Sequence, residues 1–320
     1  MVLMLFCCGG VLFAQEEKKT TGSGKPIITV FSNFHSGFGA TNDDRGFELD
    51  RSYLGYQYTL PGNIELKAVM DIGQSDAVHD YHRIAYIKNA QVTWRSGRLT
   101  LAGGLISTIQ FGVQEKGWGG RYILKSFQDL YKFGSSADLG VSASYRFADW
   151  LTADAIIVNG EGYKKIQKTD GLLYGLGATL TPVKGLTLRL YGSLNEVGEG
   201  GGSHVGNLAF YAGYKIENIS LGAEYNLMTN YKHVEGNDRY GLSFYCWSRL
   251  SQRVDLFARY DHLSSRSDWD ITSDGEAALL GVQVKLGKYI SVAPNLRLWA
   301  PAVEGADLQY SGYLSCRFAL

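Results

Sequence analysis

Apolar and polar residues alternate along most of this chain, in segments of about ten residues, which is the period of a half-buried β-strand. Leu186, Leu188 and Leu190 alternate with Thr187, Arg189 and Tyr191. Ile64, Leu66, Ala68 and Met70 alternate with Glu65, Lys67, Val69 and Asp71, and near the C-terminus Leu308, Tyr310, Leu314, Cys316, Phe318 and Leu320 alternate with Gln309, Ser311, Tyr313, Ser315 and Arg317. Seven short connections punctuate these segments, at 61–63, 96–97, 148–149, 182–185, 217–218, 250–251 and 287–288. Eight longer, polar, Gly-rich stretches lie between them, at 39–45, 74–82, 112–136, 160–171, 196–205, 231–238, 264–275 and 300–306. Short and long connections alternate without exception, which implies 16 strands with both ends on the short-turn side. That asymmetry belongs to a closed antiparallel transmembrane β-barrel. A propeller would show a repeat of about 40 residues, and a sandwich seldom needs so many consecutive hairpins.

Aromatic residues gather at two levels. Tyr58, Trp94, Phe147 and Trp150 lie beside short turns, while Phe38, Phe111, Tyr163, Tyr231, Tyr240 and Trp299 lie beside long stretches. Two belts of amphipathic rings are what membrane interfaces select. Gly175 and Gly177 share one face of a strand and predict a bend or a close backbone approach there.

The longest connection, 112–136, carries its own pattern. Gly117-Trp118-Gly119-Gly120 reads as a flexible lead-in and Gly134 as a stop. Between them Ile123, Phe127, Leu130 and Tyr131 recur at helical spacing, with Arg121, Lys125, Asp129 and Lys132 on the other face. In a barrel too wide for side chains to fill, such a segment has a place inside, narrowing the channel with its charged face. A cap over the barrel mouth is the alternative reading.

Composition sharpens this picture at a few points. The chain has 320 residues, 31 basic against 31 acidic, so no basic surface is available for nucleic acid. With 40 Gly and only 5 Pro it is unlike an ordinary soluble α/β enzyme. Met1 to Ala14 is uncharged and precedes the polar Gln15-Glu16-Glu17-Lys18-Lys19, which reads as a secretory signal cleaved before Gln15. Residues 15–25 form a polar lead and 26–320 the barrel. Cys7 and Cys8 fall in the leader, and Phe6 before Cys7 argues against lipidation. Cys246 and Cys316 are then expected on strands 12 and 16, facing lipid and unbridged.

Three segments resemble outer-membrane porins of Bacteroidetes that look related to the phosphate-selective porin family: 47–56 (FELDRSYLGY), 128–140 (QDLYKFGSSADLG) and 158–163 (VNGEGY). The resemblance implies a 16-stranded barrel with an inward third loop. That family's phosphate channels carry dense arrays of Arg and Lys. Here the expected lumen positions mix Arg51, Lys67, Arg146, Arg189, Lys215, Arg259, Arg297 and Arg317 with Asp71, Asp154, Glu224, Asp255 and Asp261, so weak selectivity is expected.

No catalytic signature such as GxSxG, HExxH or a Walker loop is present. His79 and His82 with Asp76 and Asp80 suggest at most a weak metal site in a solvated loop, and His35-Ser36 has no identifiable partner acid. No metal or cofactor is therefore expected. The reading is a porin in the bacterial outer membrane, meeting lipid outside and small hydrophilic solutes or ions inside, with a homotrimer left open. A barrel whose loops bind a protein or ligand partner, and more distantly an outer-membrane hydrolase, are the alternatives.

Overall fold

A computed structural model describes residues 22–39, 43–74, 82–165 and 170–320. The expected leader at 1–14, and the loop bearing Asp76, His79 and Asp80, lie outside the described residues. Sixteen strands run in sequence order: β1 Ser23–Phe38, β2 Arg45–Leu60, β3 Ile64–Gln74, β4 Arg83–Ser96, β5 Leu99–Ser107, β6 Ala137–Ala148, β7 Leu151–Val158 and β8 Leu173–Leu180. They continue as β9 Leu186–Asn195, β10 Val205–Ile216, β11 Ile219–Thr229, β12 Arg239–Arg249, β13 Val254–Ser265, β14 Gly275–Lys285, β15 Ile290–Pro301 and β16 Gln309–Ala319. Each pairs antiparallel with its sequence neighbours, and β1 closes on β16 from Thr29↔Ala319 to Phe38↔Tyr310. Closure satisfies every strand edge, which hydrocarbon demands of a spanning sheet.

β1 begins at Ser23, within the segment read from sequence as a polar lead. Its Pro26 pairs with Tyr56 of β2 but precedes the first pairing with β16 at Thr29, so the missing N–H falls where a second ladder is absent. All seven short turns and all eight long connections fall where the sequence pattern puts them, within a few residues.

The two faces of the sheet are chemically inverted relative to a soluble barrel. Leu176, Leu280 and Leu296 are more than 60% exposed, and Leu190, Phe210, Leu221, Phe244 and Leu314 are exposed with them. The opposite face buries Arg189, Glu224, Asn226, Ser243, Arg259, Asp261 and Asn295. An apolar outside and a polar inside make this a membrane-spanning barrel. Cys246 and Cys316 are free and follow the alternation to the outer face, as the sequence implied.

The aromatic belts need correction at four positions. Trp94, Phe147, Trp150, Phe38 and Tyr240 are exposed as belt residues should be, but Phe111 and Tyr163 are buried, Tyr231 packs on the cluster of Phe127 and Phe133, and Trp299 alternates onto the inner face with Asn295 and Arg297. Phe111, Tyr163 and Tyr231 belong to long connections, so proximity to a loop misplaced them. Gly175 and Gly177 also serve differently from expectation. A Cβ at Gly177 would stand 2.4 Å from Asp154 Oδ1 and 2.5 Å from Arg189 Nη2, and one at Gly175 would stand 2.6 Å from the Tyr191 hydroxyl. The space they leave is taken by inner-face side chains and not by a second backbone.

Three bulges interrupt the ladders. At Phe31/Ser32 the pairing skips Asp50, at Val69/Met70 it skips Lys88, and at Arg146/Ala148 it skips Phe147. A bulge places two successive residues out of strict alternation. Asp50 thereby accepts from Asn33 (2.7 Å), and Lys88 reaches Tyr53.

Candidate functional site: the third long connection and the wall it meets

The connection between β5 and β6 contains two helical pieces, α1 Gly112–Trp118 and α2 Phe127–Leu130. The sequence pattern put one helix between Arg121 and Lys132; α2 supplies one turn of it, and the longer helix lies earlier. The reason is tertiary. Ile123 joins a cluster with Tyr122, Leu279 and Ala293, whereas Phe127 packs with Phe133, Val205, Met228 and Leu263. Residues at helical spacing thus serve different stretches of wall, and packing overrides the local period. Leu130 is only half-buried.

Gly117-Trp118-Gly119-Gly120 is likewise a packed element rather than a flexible lead-in. Trp118 is 1% exposed, its ring centroid 5.4 Å from Tyr245, 5.5 Å from Trp247 and 6.4 Å from Phe257. Its indole N–H donates to Leu124 O (2.8 Å). Gly119 ends α1 in the left-handed region, φ 67°, and its N–H reaches Glu115 O. A Cβ at Gly117 would fall 2.0 Å from the Tyr211 hydroxyl, so only glycine lets the helix approach β10 this closely.

Four wall arginines hold the backbone of the connection. Arg189 donates to Ile109 O (2.6 Å), Arg259 to Lys125 O (2.6 Å), Arg297 to Ile123 O, and Arg239 to Tyr131 O and Lys132 O (2.6 and 2.8 Å). Two of them are fixed from behind: Asp154 grips Arg189 through both oxygens (2.8 Å each), and Asp261 does the same for Arg259 (2.8 and 2.7 Å). Arg239 lies over the Tyr231 ring at 3.8 Å, and Arg297 over Tyr313 at 3.5 Å. Buried guanidiniums with two-point carboxylate partners are rigid donors. Glu224, beside Arg259, accepts from Asn226 (3.1 Å). Arg189, Arg259 and Arg297 therefore have a holding role in addition to their place on the inner face. Arg239, at the very start of β12, was not among the residues singled out by alternation.

The charged edge of the connection faces β2, β3 and β4. Arg121 pairs with Glu115 and with Asp129 (2.7 Å), and its Nε lies 3.4 Å from the Tyr53 hydroxyl. Arg51 and Lys88 approach the same oxygen, at 3.4 and 3.3 Å. Arg51 also pairs with Asp71 (3.3 Å), which accepts from the Tyr163 hydroxyl (2.6 Å). Lys88 lies 4.7 Å over the Tyr53 ring, and Lys164 lies 5.2 Å over Tyr86. Burial works against the Arg121 charge, but Tyr53, Asp129 and Glu115 hold it more firmly than usual. Burial lowers Lys125 below the ordinary lysine value despite the support of Asp129. Asp129 is opposed by burial too, yet Arg121 and Lys125 hold it below the usual carboxylate range.

Of the four residues expected to act together, Arg121, Lys125 and Asp129 thus form one electrostatic group. Lys132 does not join it: it is exposed, with φ 59°, and borders a separate cavity with Gly160 and His233. Lys88 and Tyr53 were missed by sequence reasoning. A bulge hides Lys88 from alternation, and a tyrosine gives no charge signal. Arg146, Lys215 and Arg317 take part in none of the ion pairs found among the described residues, while Asp255 is engaged by Lys285, Gln283 and Arg249. His35 contacts Asn33 (2.8 Å) and Asp44 (3.3 Å), whereas Ser36 donates to Gly37 O; the two side chains are not joined.

No protein-family model and no curated protein sequence matches the chain. Solved structures do. Over 93% of this chain and 94% of the other, the barrel superposes on Pseudomonas putida OprB with a TM-score of 0.72 at 12% identity. An anion-selective porin from Comamonas acidovorans matches over 94% of this chain and 100% of its own, with a TM-score of 0.68 at 14% identity. Outer-membrane OmpT of Vibrio cholerae matches over 95% and 99%, with a TM-score of 0.65 at 15% identity. The fold is that of the outer-membrane porins. A closed barrel of this kind with an apolar outer girdle belongs in a bacterial outer membrane.

Proposed function

We propose that the protein is a porin without enzymatic activity, a passive diffusion channel for small hydrophilic solutes or ions, narrowed by residues 112–136 folded into the lumen. The observation that carries this reading is the sharing of one side chain by loop and wall: Arg121 of the connection, Arg51 of β2 and Lys88 of β4 all approach the Tyr53 oxygen. A cap over the mouth would not need Trp118 inserted among Tyr245, Trp247 and Phe257 of the inner face. Sixteen-stranded barrels are wide enough to leave an aqueous channel beside such a segment.

The narrow region sets the basic Arg51, Lys67, Lys88, Arg121, Lys125 and Lys164 against the acidic Asp71, Asp129 and Glu115. A modest preference for anions follows, and the interleaved acids argue against a phosphate-specific ladder. Kinship with Bacteroidetes porins of the phosphate-selective type, suggested by the sequence segments, is part of the same proposal. So is a homotrimer, since one of the matched OmpT structures is described as a trimer form. Currents across a planar bilayer test the reading: stable ohmic channels with anion preference are expected, and a barrel that conducts no ions contradicts it.

A further inference from the structure

Small side chains gather on the lipid-facing side of β10–β14, where Ala212, Ala223, Cys246, Ala258 and Ala278 floor a groove of about 620 Å³. We propose that this groove holds an acyl chain of one anionic phospholipid, in the leaflet next to the short turns, with its headgroup at Lys184. The site lies outside the channel: it needs only a membrane-spanning barrel and is independent of what passes through the lumen.

Strand pairing makes the small residues neighbours. Ala212 lies opposite Ala223, Cys246 opposite Ala258 and Tyr260 opposite Ala278, and all follow the alternation to the outer face. Side chains paired in this way stand close together, so short ones leave a shared hollow. Leu186, Tyr214, Leu221, Phe244 and Tyr260 wall it, and Phe244 and both tyrosines are exposed. Leu186 opens β9, while Tyr214 and Leu221 flank the β10–β11 turn, so the groove runs to the short-turn end of the barrel. There the Tyr214 ring packs beside Gly185. A Cβ on that glycine would stand 3.6 Å from the ring, which brings the end of the groove to the turn that carries Lys184.

Location and charge name the occupant. A hollow in the girdle faces hydrocarbon, and an acyl chain fills it without leaving any polar group unpaired. The headgroup is decided by the turns. The first three, at 61–63, 97–98 and 149–150, carry only Arg98 and Asp149, of opposite sign. The last four, at 181–185, 217–218, 250–253 and 286–289, lie on the side of the groove and carry Lys184, Arg253 and Lys288 against Glu217 alone. None of these four charges joins an ion pair among the described residues, whereas Asp255, the next acid, faces inward and is engaged by Lys285 and Arg249. A headgroup beside Lys184 therefore meets a net basic rim, and basic residues at a membrane surface favour anionic lipids. A second copy docked by the same face would bring two such rims together.

Mass spectrometry of the intact barrel provides the test, after exposure in detergent to an equal mixture of phosphatidylglycerol and phosphatidylcholine with the same acyl chains. One retained phosphatidylglycerol is expected, favoured over phosphatidylcholine at least fivefold. Ala258→Trp fills the floor of the groove and should abolish retention, whereas Ala155→Trp, the same change on the lipid face of β7, should leave it intact. Lys184→Gln should keep the groove and lower the preference for phosphatidylglycerol at least twofold. Each variant is checked for a closed barrel by its resistance to unfolding in SDS, so loss of lipid is separable from loss of fold. No retained lipid, equal retention of the two lipids, full retention in Ala258→Trp, equal loss in Ala155→Trp, or an unchanged preference in Lys184→Gln each overturns the proposal. So does an oligomer that only Ala258→Trp disperses, which would put a second copy in the groove.

Discussion

Lys125 carries a charge that its surroundings weaken. Burial disfavours its ammonium, Asp129 supports it, and Arg51, Arg121 and Lys164 repel it. A lysine lowered in this way is protonated at neutral pH and turns neutral on the alkaline side before an ordinary lysine, near about 10.4, would do so. Anion preference should therefore begin to fall below that pH in the wild-type channel. In Lys125→Arg it should persist, because a guanidinium stays charged throughout. Reversal potentials measured across an alkaline pH series check this; coincident curves for the two proteins would contradict the role given to Lys125. A second residue-scale expectation concerns Asp129. Replacing it with Asn removes an acid from beside Arg121 and should raise anion over cation permeability by roughly threefold, about 0.7 kcal/mol. Alternation in the sequence was enough to put Arg51, Asp71 and Arg259 on the inner face, because period two is a property of any strand. It could not find Lys88 or Asp50, since a bulge is decided by the ladder and leaves no mark in one strand's own residues.

At the scale of elements, the third long connection owes its position to a buried indole and four arginines. Trp118→Ala removes the ring that β12 and β13 enclose, a change that in packed interiors costs about 3–5 kcal/mol. The strand ladders are independent of that ring, so the barrel should still close and keep its resistance to unfolding by detergent. Single-channel records should instead show a larger and noisier conductance. Unchanged, quiet channels in the Trp118→Ala variant would mean that the ring does not hold the segment. The existence and length of this connection were legible from its place in the turn pattern. Its interior was not, because apolar residues at helical spacing were each recruited by a different patch of wall. The glycines around Trp118 look like flexibility in a sequence, and only the neighbouring hydroxyl of Tyr211 reveals that Gly117 is a requirement of fit.

For the whole molecule, the order and number of strands could be read because one rule governs them all: apolar side out, polar side in, short turns at one end. The same rule places Cys246 and Cys316 on the lipid face of β12 and β16, which are not neighbours, and both are free. Non-reducing mass analysis of the chain without residues 1–14 should find two thiols and no intramolecular bridge. Selectivity is also a whole-channel property, and it was expected from the sequence to be weak. The inner face mixes both signs, and charges of opposite sign are screened over about 8 Å at physiological salt. Phosphate should be preferred over chloride by far less than a hundredfold, about 2.7 kcal/mol; a preference of that size would count against the account.

Residues 112–136 are proposed to narrow an open pore. The most direct measurement is single-channel conductance with reversal potential in a potassium chloride gradient, for the wild type and two double variants. Replacing Arg121 and Lys125 with Ala should raise conductance and move the reversal potential towards cations, because charge acts most strongly where a channel is tightest. Replacing Lys164 and Lys165, on the next long connection, should change both quantities less. Equal effects of the two pairs, or none from Arg121 and Lys125, would show that the segment does not form the constriction.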